Sequence, residues 1–262
     1  MPELPEVEHA ARVLRAAIVG RHIARVRVLH PSLRAKLPPA DRRRLVGRTV
    51  RDVVRRGKHQ VIHFADGTAL VAHFRMTGDW AIGRVGDERA SYARAELELD
   101  DGTRVTLADS RALATLLRTD DPATVLPALG PEPDDPALTP ASLASTLARR
   151  RGAIKPALLD QRVLAGVGNI YAAEALWRAR IDPRAAARAL DTAQLKRLLA
   201  AIRTVLGRAP AGRYQADTAT SRWNVYDREG LTCRRCGGTV RRIVQAGRST
   251  YYCPQCQTTG KR

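Results

Sequence analysis

Cys233-Arg234-Arg235-Cys236 and Cys253-Pro254-Gln255-Cys256, separated by the 16 residues 237–252, contain every cysteine of this 262-residue chain. Two pairs of this spacing suit a four-thiolate zinc site, in which each close pair offers two sulfurs to one tetrahedral ion. Two disulfides are the competing use of four cysteines, and they suit an exported chain. This chain opens Met1-Pro2-Glu3-Leu4-Pro5-Glu6, where an export signal needs positive charge and then an apolar run. We therefore expect one structural Zn2+ on Cys233, Cys236, Cys253 and Cys256. Four thiolates leave no open position for water, so a catalytic metal is not expected. Gln245 to Tyr252, between the pairs, reads as a hairpin that presents Arg248 on a rigid tip.

Upstream of the cysteines the sequence has helical periodicity near 141–150, 154–164, 169–180 and 191–207. The middle two segments are joined by Ala165-Gly166-Val167-Gly168-Asn169. Two glycines allow close backbone approach to a phosphate, and the following helix offers unpaired N–H groups. Further upstream, residues 121–140 hold six prolines and read as a linker. Before it, Val61–Phe64 and Leu70–Phe74 flank Asp66-Gly67, and alternating apolar residues at 95–99 and 105–107 flank Asp101-Gly102. Both patterns are hairpin signals. A helix over 6–19, with Val7, Ala10, Leu14 and Ile18 on one face, leads the chain. The expected class is α+β, with an N-terminal β-sandwich domain (1–120) behind a leading helix, the linker (121–140), a helical domain (141–224) and a zinc ribbon (225–262).

The charge is lopsided: 45 Lys and Arg against 26 Asp and Glu, formally +19. A field of that sign calls for a polyanion, and nucleic acid fits best because phosphate contacts release counterions whatever the base sequence. No basic amphipathic helix with a broad apolar face, and no apolar run of roughly 20 residues, points to a membrane. A cytoplasmic monomer, on the nucleoid when bound to DNA, is the expectation. Only five of the 45 cations are lysines. Lys58, directly after Arg55-Arg56-Gly57, thus stands out, because an ammonium exchanges protons where a guanidinium does not. At the other extreme, removal of Met1 leaves Pro2 with a secondary α-amine. Such amines titrate near pH 8 and can attack a sugar carbon at neutral pH. Glu3 beside it can shuttle protons.

The order of these and further motifs is decisive. Met1-Pro2-Glu3-Leu4-Pro5-Glu6-Val7-Glu8, Arg56-Gly57-Lys58, Leu129-Gly130-Pro131-Glu132-Pro133, Ala153-Ile154-Lys155-Pro156, Gly166-Val167-Gly168-Asn169-Ile170-Tyr171 and Gly247-Arg248-Ser249-Thr250-Tyr251-Tyr252-Cys253-Pro254-Gln255-Cys256-Gln257 resemble the formamidopyrimidine-DNA glycosylase and endonuclease VIII family, end to end and closest to its bacterial oxidised-purine branch. The resemblance implies a β-sandwich, a helix-two-turns-helix region and a zinc ribbon that grip duplex DNA containing damaged bases or abasic sites. It implies base excision at Pro2 with Glu3 as proton carrier, then strand cleavage by β- and δ-elimination assisted by Lys58 and Arg248. Lys155, Asn169 and Tyr226 would hold phosphates, and His73 and Arg149 would contact DNA. Met76, Arg111 and Leu113 would fill the hole left by the extruded base.

The chain departs from that pattern in three places. Asp109-Ser110-Arg111-Ala112-Leu113-Ala114 carries Leu113 where the family has an aromatic wedge, and aliphatic wedges also part stacked bases. Tyr92 stands where the family has a DNA-contacting histidine. The stretch 207–223 is about ten residues short, where the oxidised-purine enzyme caps an extruded base. Two other readings follow: an endonuclease VIII-like enzyme for oxidised pyrimidines, and a zinc-ribbon protein that binds damaged DNA without chemistry.

Overall fold

A computed structural model describes residues 2–209 and 222–258. The chain forms two compact units, Met1–Pro127 and Ala128–Pro210 with Gln215–Arg262. Unit 1 begins with α1 (Leu4–Ile18), which starts earlier than its apolar periodicity because Glu3 caps it and Pro5 suits its first turn. The Glu3 N–H donates to Glu6 Oε2 at 2.9 Å, satisfying one donor that a helix start leaves open. Val7, Leu14 and Ile18 are buried as their spacing requires.

Two antiparallel four-stranded sheets follow. One has the order β1 (Ile23–Val28), β6 (Ala93–Leu99), β7 (Thr103–Ala108), β5 (Asp79–Arg84); the other β2 (Val50–Arg56), β3 (His59–Phe64), β4 (Ala69–His73), β8 (Thr115–Thr119). A short helix, α2 (Pro39–Leu45), lies between β1 and β2. Both hairpins read from the sequence are present, as β3–β4 and β6–β7. Val26, Leu97, Val105 and Leu107 from one sheet meet Val53, Ile62, Phe64, Leu70 and Leu116 from the other, with Val7, Leu14 and Ile18 of α1, in one continuous core. Burial at roughly 25 cal/mol per Å2 makes this core the main stabilising element of the unit.

The proline-rich stretch divides between the units. Its first part holds α3 (Pro122–Val125), packed on β4 and β8 of unit 1. The remainder is bound to unit 2: Arg203 donates to the carbonyls of Pro133, Asp135 and Leu138, and Gly130 N–H to Gln161 O. A Cβ on Gly130 would sit 2.6 Å from Arg162 O, so only glycine permits that approach. Proline content marked where regular structure stops, and packing then held most of the stretch.

Unit 2 contains α4 (Pro140–Ala148), α5 (Ile154–Leu159), α6 (Asn169–Ala179) and α7 (Thr192–Gly207), then the hairpin β9 (Arg241–Gln245) and β10 (Arg248–Tyr252). Helix α5 is shorter than its apolar period because Asp160 leaves helical geometry. Its side chain accepts from Arg162 N–H at 3.0 Å, and Gln161 Nε2 donates to Leu159 O and Val167 O. These local bonds replace the helical ones. The shortened segment noted in the sequence lies largely outside the described residues.

Candidate functional site

Three of the residues singled out in unit 1 lie on elements that pack together, Pro2 and Glu3 at the start of α1 and Lys58 on the turn that follows β2. Pro2 is half-buried, and Glu3 is 1% exposed at the positive end of α1, where a carboxylate is accommodated. Lys58 is half-buried in the two-residue Gly57-Lys58 turn between the paired residues Arg56 and His59. Gly57 takes φ 58°, which such a turn demands and a side chain would resist. Arg55 joins the two elements: its Nε donates to Glu8 Oε2 of α1 at 2.8 Å and its Nη1 to Gly57 O at 3.1 Å. Burial resists ionisation of Glu8, but bonds from Arg55 and Arg12 outweigh it and hold that carboxyl below its ordinary range.

His73 ends β4 and packs edge-on against His59, ring centroids 4.6 Å apart. Burial, then the nearby His59, Arg75 and Lys58, push its pKa down to about 3. Its Nδ1 accepts the Arg75 N–H at 2.9 Å, so the neutral ring keeps its proton on Nε2 and presents a donor.

Met76 and Leu113 are 37% and 45% exposed, unusual for large apolar side chains, and Arg111, two residues before Leu113, is exposed as well. Asp109, buried to 1%, organises both loops. Its Oδ2 accepts from Leu113 N–H at 2.6 Å and Ala114 N–H at 2.7 Å; its Oδ1 accepts from Arg111 N–H and from the Thr77 hydroxyl. Burial opposes its charge, but these donors win and lower its pKa. Asp109 carries only a weak local signal in the sequence, as an Asp directly after a strand, a common side-chain-to-backbone turn former. Arg75, Tyr92 and Ala112 take left-handed φ of 57°, 58° and 54° around this centre. Tyr92, 63% exposed, accepts the Asp109 N–H through its carbonyl at 3.0 Å.

In unit 2 the cationic run does not form one solvated face. Arg149 is exposed and lines an open groove with Arg150, Arg151 and Asp160, whereas Lys155 is 1% exposed. Its Nζ donates to Asn169 Oδ1 at 2.5 Å, Thr250 Oγ1 at 2.8 Å and Ser249 O at 3.1 Å. Asn169 Nδ2 also donates to Ser249 O, at 3.0 Å. Lys155 therefore ties α5 and the glycine turn to β10, directly beside Arg248. Arg248 itself is exposed, after a turn in which Ala246 and Gly247 take φ of 47° and 71°. Tyr226 packs edge-on against Tyr251. Glu174, unmarked in the sequence, positions that segment: its buried carboxylate accepts from the N–H groups of Asn224, Val225 and Tyr226 and from Asn224 Nδ2.

The four cysteine Sγ atoms lie within 4.8 Å of one another. Cys233–Cys256 and Cys236–Cys253 are 3.8 and 3.5 Å apart. Disulfide sulfurs lie about 2.0 Å apart. Zn–S bonds of about 2.3 Å in tetrahedral array place sulfurs roughly 3.8 Å apart, which is the spacing seen. Burial and the neighbouring thiols push Cys256 up to about 12. A closed set of four thiols at this spacing fits structural zinc. Trp177 of α6 donates its indole N–H to Cys233 Sγ at 3.4 Å, and the Arg235 guanidinium stacks 3.9 Å above the same ring. The ribbon is thereby fixed to the helix that starts at Asn169.

Residues 1–116 match the formamidopyrimidine-DNA glycosylase N-terminal domain, 129–219 its H2TH domain, and 230–259 the zinc finger found in FPG and IleRS. A formamidopyrimidine-DNA glycosylase of Rhizorhabdus wittichii is 40% identical over 98% of this chain and 100% of its own length; that of Cereibacter sphaeroides is 41% identical over the same shares. The chain belongs to the formamidopyrimidine-DNA glycosylase family. It is a DNA-repair glycosylase with the family's abasic-site lyase activity and one structural zinc. The non-catalytic reading is thus set aside. Among solved structures, the Lactococcus lactis enzyme non-covalently bound to DNA with an abasic site superposes with TM-score 0.88 at 30% identity, over 98% of this chain and 99% of that one. A mutant form of the same Lactococcus lactis enzyme, in complex with DNA containing Fapy-dG, gives 0.89 at 30% identity over the same shares. Among the described residues no helix is long and apolar enough to cross a membrane.

Proposed function

We propose that the enzyme, acting as a monomer in the cytoplasm, excises oxidised purines, 8-oxoguanine and formamidopyrimidines, from duplex DNA and then nicks the strand. In this reading the Pro2 amine attacks C1′ of the extruded nucleotide. The base departs with the glycosidic electron pair, and Glu3 gives a proton to the ring oxygen as the sugar opens to an iminium. Loss of a C2′ proton expels the 3′ phosphate with Lys58 as the associated acid, and a second elimination at Arg248 expels the 5′ phosphate.

The observation that carries the reading is a half-buried Pro2, N-terminal once Met1 is removed, next to the buried Glu3, with Arg55 bonded both to α1 and to the turn that holds Lys58. Support for DNA holding comes from unit 2, where Asn169 and Lys155 share one network with Ser249 and Thr250, next to Arg248 in the chain, with Tyr226 on the same ribbon and Arg149 on a basic groove. His73 at the end of β4, and Met76, Arg111 and Leu113 from the loops of unit 1, serve as further DNA contacts, the last three entering the vacated stack. Extrusion costs a few kcal/mol, least at a damaged pair, so the lesion favours its own selection.

The test is borohydride trapping on a duplex with one 8-oxoguanine opposite cytosine. A covalent protein–DNA band is expected, and none from protein that retains Met1, in which the Pro2 nitrogen is locked in a peptide bond. Full trapping by the Met1-retaining form would sink the Pro2 amine mechanism. Faster trapping on oxidised pyrimidines than on purines would overturn the lesion assignment.

A further inference from the structure

Arg55 is one residue short of the end of β2, and its side chain is only 9% exposed. Two of its bonds run in different directions, to Glu8 on α1 at 2.8 Å and to the Gly57 carbonyl at 3.1 Å. Glu8 is fixed in turn: its other oxygen takes Arg12 Nε at 2.7 Å, so both oxygens are held by guanidinium groups. Gly57 O belongs to the peptide whose nitrogen is that of Lys58. One planar group therefore connects the helix that follows Pro2 and Glu3 to the peptide that carries Lys58.

Such a bridge adds little net stability, because desolvating the charges offsets much of their attraction. What it fixes is geometry. A guanidinium presents its Nε and Nη donors at set angles in one plane, whereas an ammonium on a flexible stem cannot hold two acceptors in fixed relation. Gly57, at the left-handed position of the turn, contributes no side chain that could orient it. The bond to Gly57 O supplies that orientation.

We propose that Arg55 is a positioning residue for the reaction: it sets the Lys58 ammonium relative to the Pro2 amine and Glu3 without itself touching DNA. The proposal rests on the assignment of Pro2 and Lys58 made above. No bond to Arg55 forms or breaks during turnover.

The experiment uses the zinc-loaded, full-length enzyme in single-turnover cleavage of an 8-oxoguanine duplex, with the Kd for a duplex holding a stable abasic-site analogue and the Tm measured alongside. Misplacement of a catalytic group by an ångström costs up to about a hundredfold, so Arg55→Met should slow cleavage about tenfold or more. Its Kd should stay within about twofold, because uniform binding is untouched. Arg55→Lys should recover only part of the rate. Glu8→Gln, which keeps shape and removes only the charge on the helix side, should slow the reaction less than Arg55→Met and leaves an independent arm if Arg55→Met folds poorly.

The deciding arm is the double variant. In a Lys58→Ala background Arg55→Met should cost less than about twofold, because the group it positions is gone. An equal cost in both backgrounds, a rate that falls only in step with Tm or Kd, or full activity of Arg55→Lys would each overturn the proposal. If Lys58→Ala slows cleavage and Arg55→Met does not, the proposal alone fails. If Lys58→Ala has no effect, the assignment of Lys58 fails and takes the proposal with it.

Discussion

The sandwich of unit 1 and the zinc ribbon of unit 2 each hold a candidate catalytic residue on a tight hairpin turn, but they support those turns by different means. Lys58 projects from a turn backed by two sheets and α1 around one continuous apolar core. Arg248 follows a turn backed by a small cluster of Trp177, Val225, Val240 and the cysteines themselves. A region with so little apolar volume needs another source of order, and metal coordination provides it. The difference teaches that the two turns should fail under different insults.

Zinc removal is the largest test. Chelation should unfold residues 225–258 while the sandwich persists, abolishing specific DNA binding yet leaving hydrogen-exchange protection in β3, β4 and β7. Loss of protection in unit 1 at the same chelator concentration would show that the units do not separate in this way. Next is Lys155→Met, which leaves Asn169 Oδ1, Ser249 O and Thr250 Oγ1 short of a donor. A cost of about 2–4 kcal/mol is expected from chemical denaturation of unit 2, with no change in unit 1.

Acid should act on the other side of the comparison. The folded pKa of His73, about 3, lies below its ordinary 6.5, so between those values the unfolded chain binds more protons. Its contribution is therefore complete above about pH 6.5 and declines as pH falls toward 3, at up to about 1.4 kcal/mol per pH unit. Denaturant titration of unit 1 from pH 7 to 5 checks this, and His73→Gln should flatten the slope. The smallest effect belongs to the ribbon tip. Ala246 holds φ 47°, which favours glycine, so Ala246→Gly should stabilise the hairpin by about 1 kcal/mol, read as a higher melting point of zinc-loaded enzyme.

Most elements were legible in the sequence wherever pattern and position coincide. Asp66-Gly67 and Asp101-Gly102 marked their hairpins, and the paired cysteines marked the ribbon. Pro2, Glu3 and Lys58 stood out because their chemistry is rare for their surroundings. Other features left no local trace. The partners of Lys155 at 249 and 250 lie over 90 residues away, so a charge run could not reveal that one cation turns inward. Arg55 is one arginine in a chain rich in them, and only the fold places Glu8 opposite it. Helix α5 ended early because Asp160 and Gln161 offered the backbone better local partners than its apolar period implied.

Asp109 leaves one more consequence. It grips the Met76 and Leu113 loops through main-chain N–H groups and a threonine hydroxyl, never through the side chains that project from them. The holder is thus independent of the tool. Position 113 can exchange one side chain for another while the loop keeps its course, so the reach and shape of the group presented there can vary without rebuilding the protein around it.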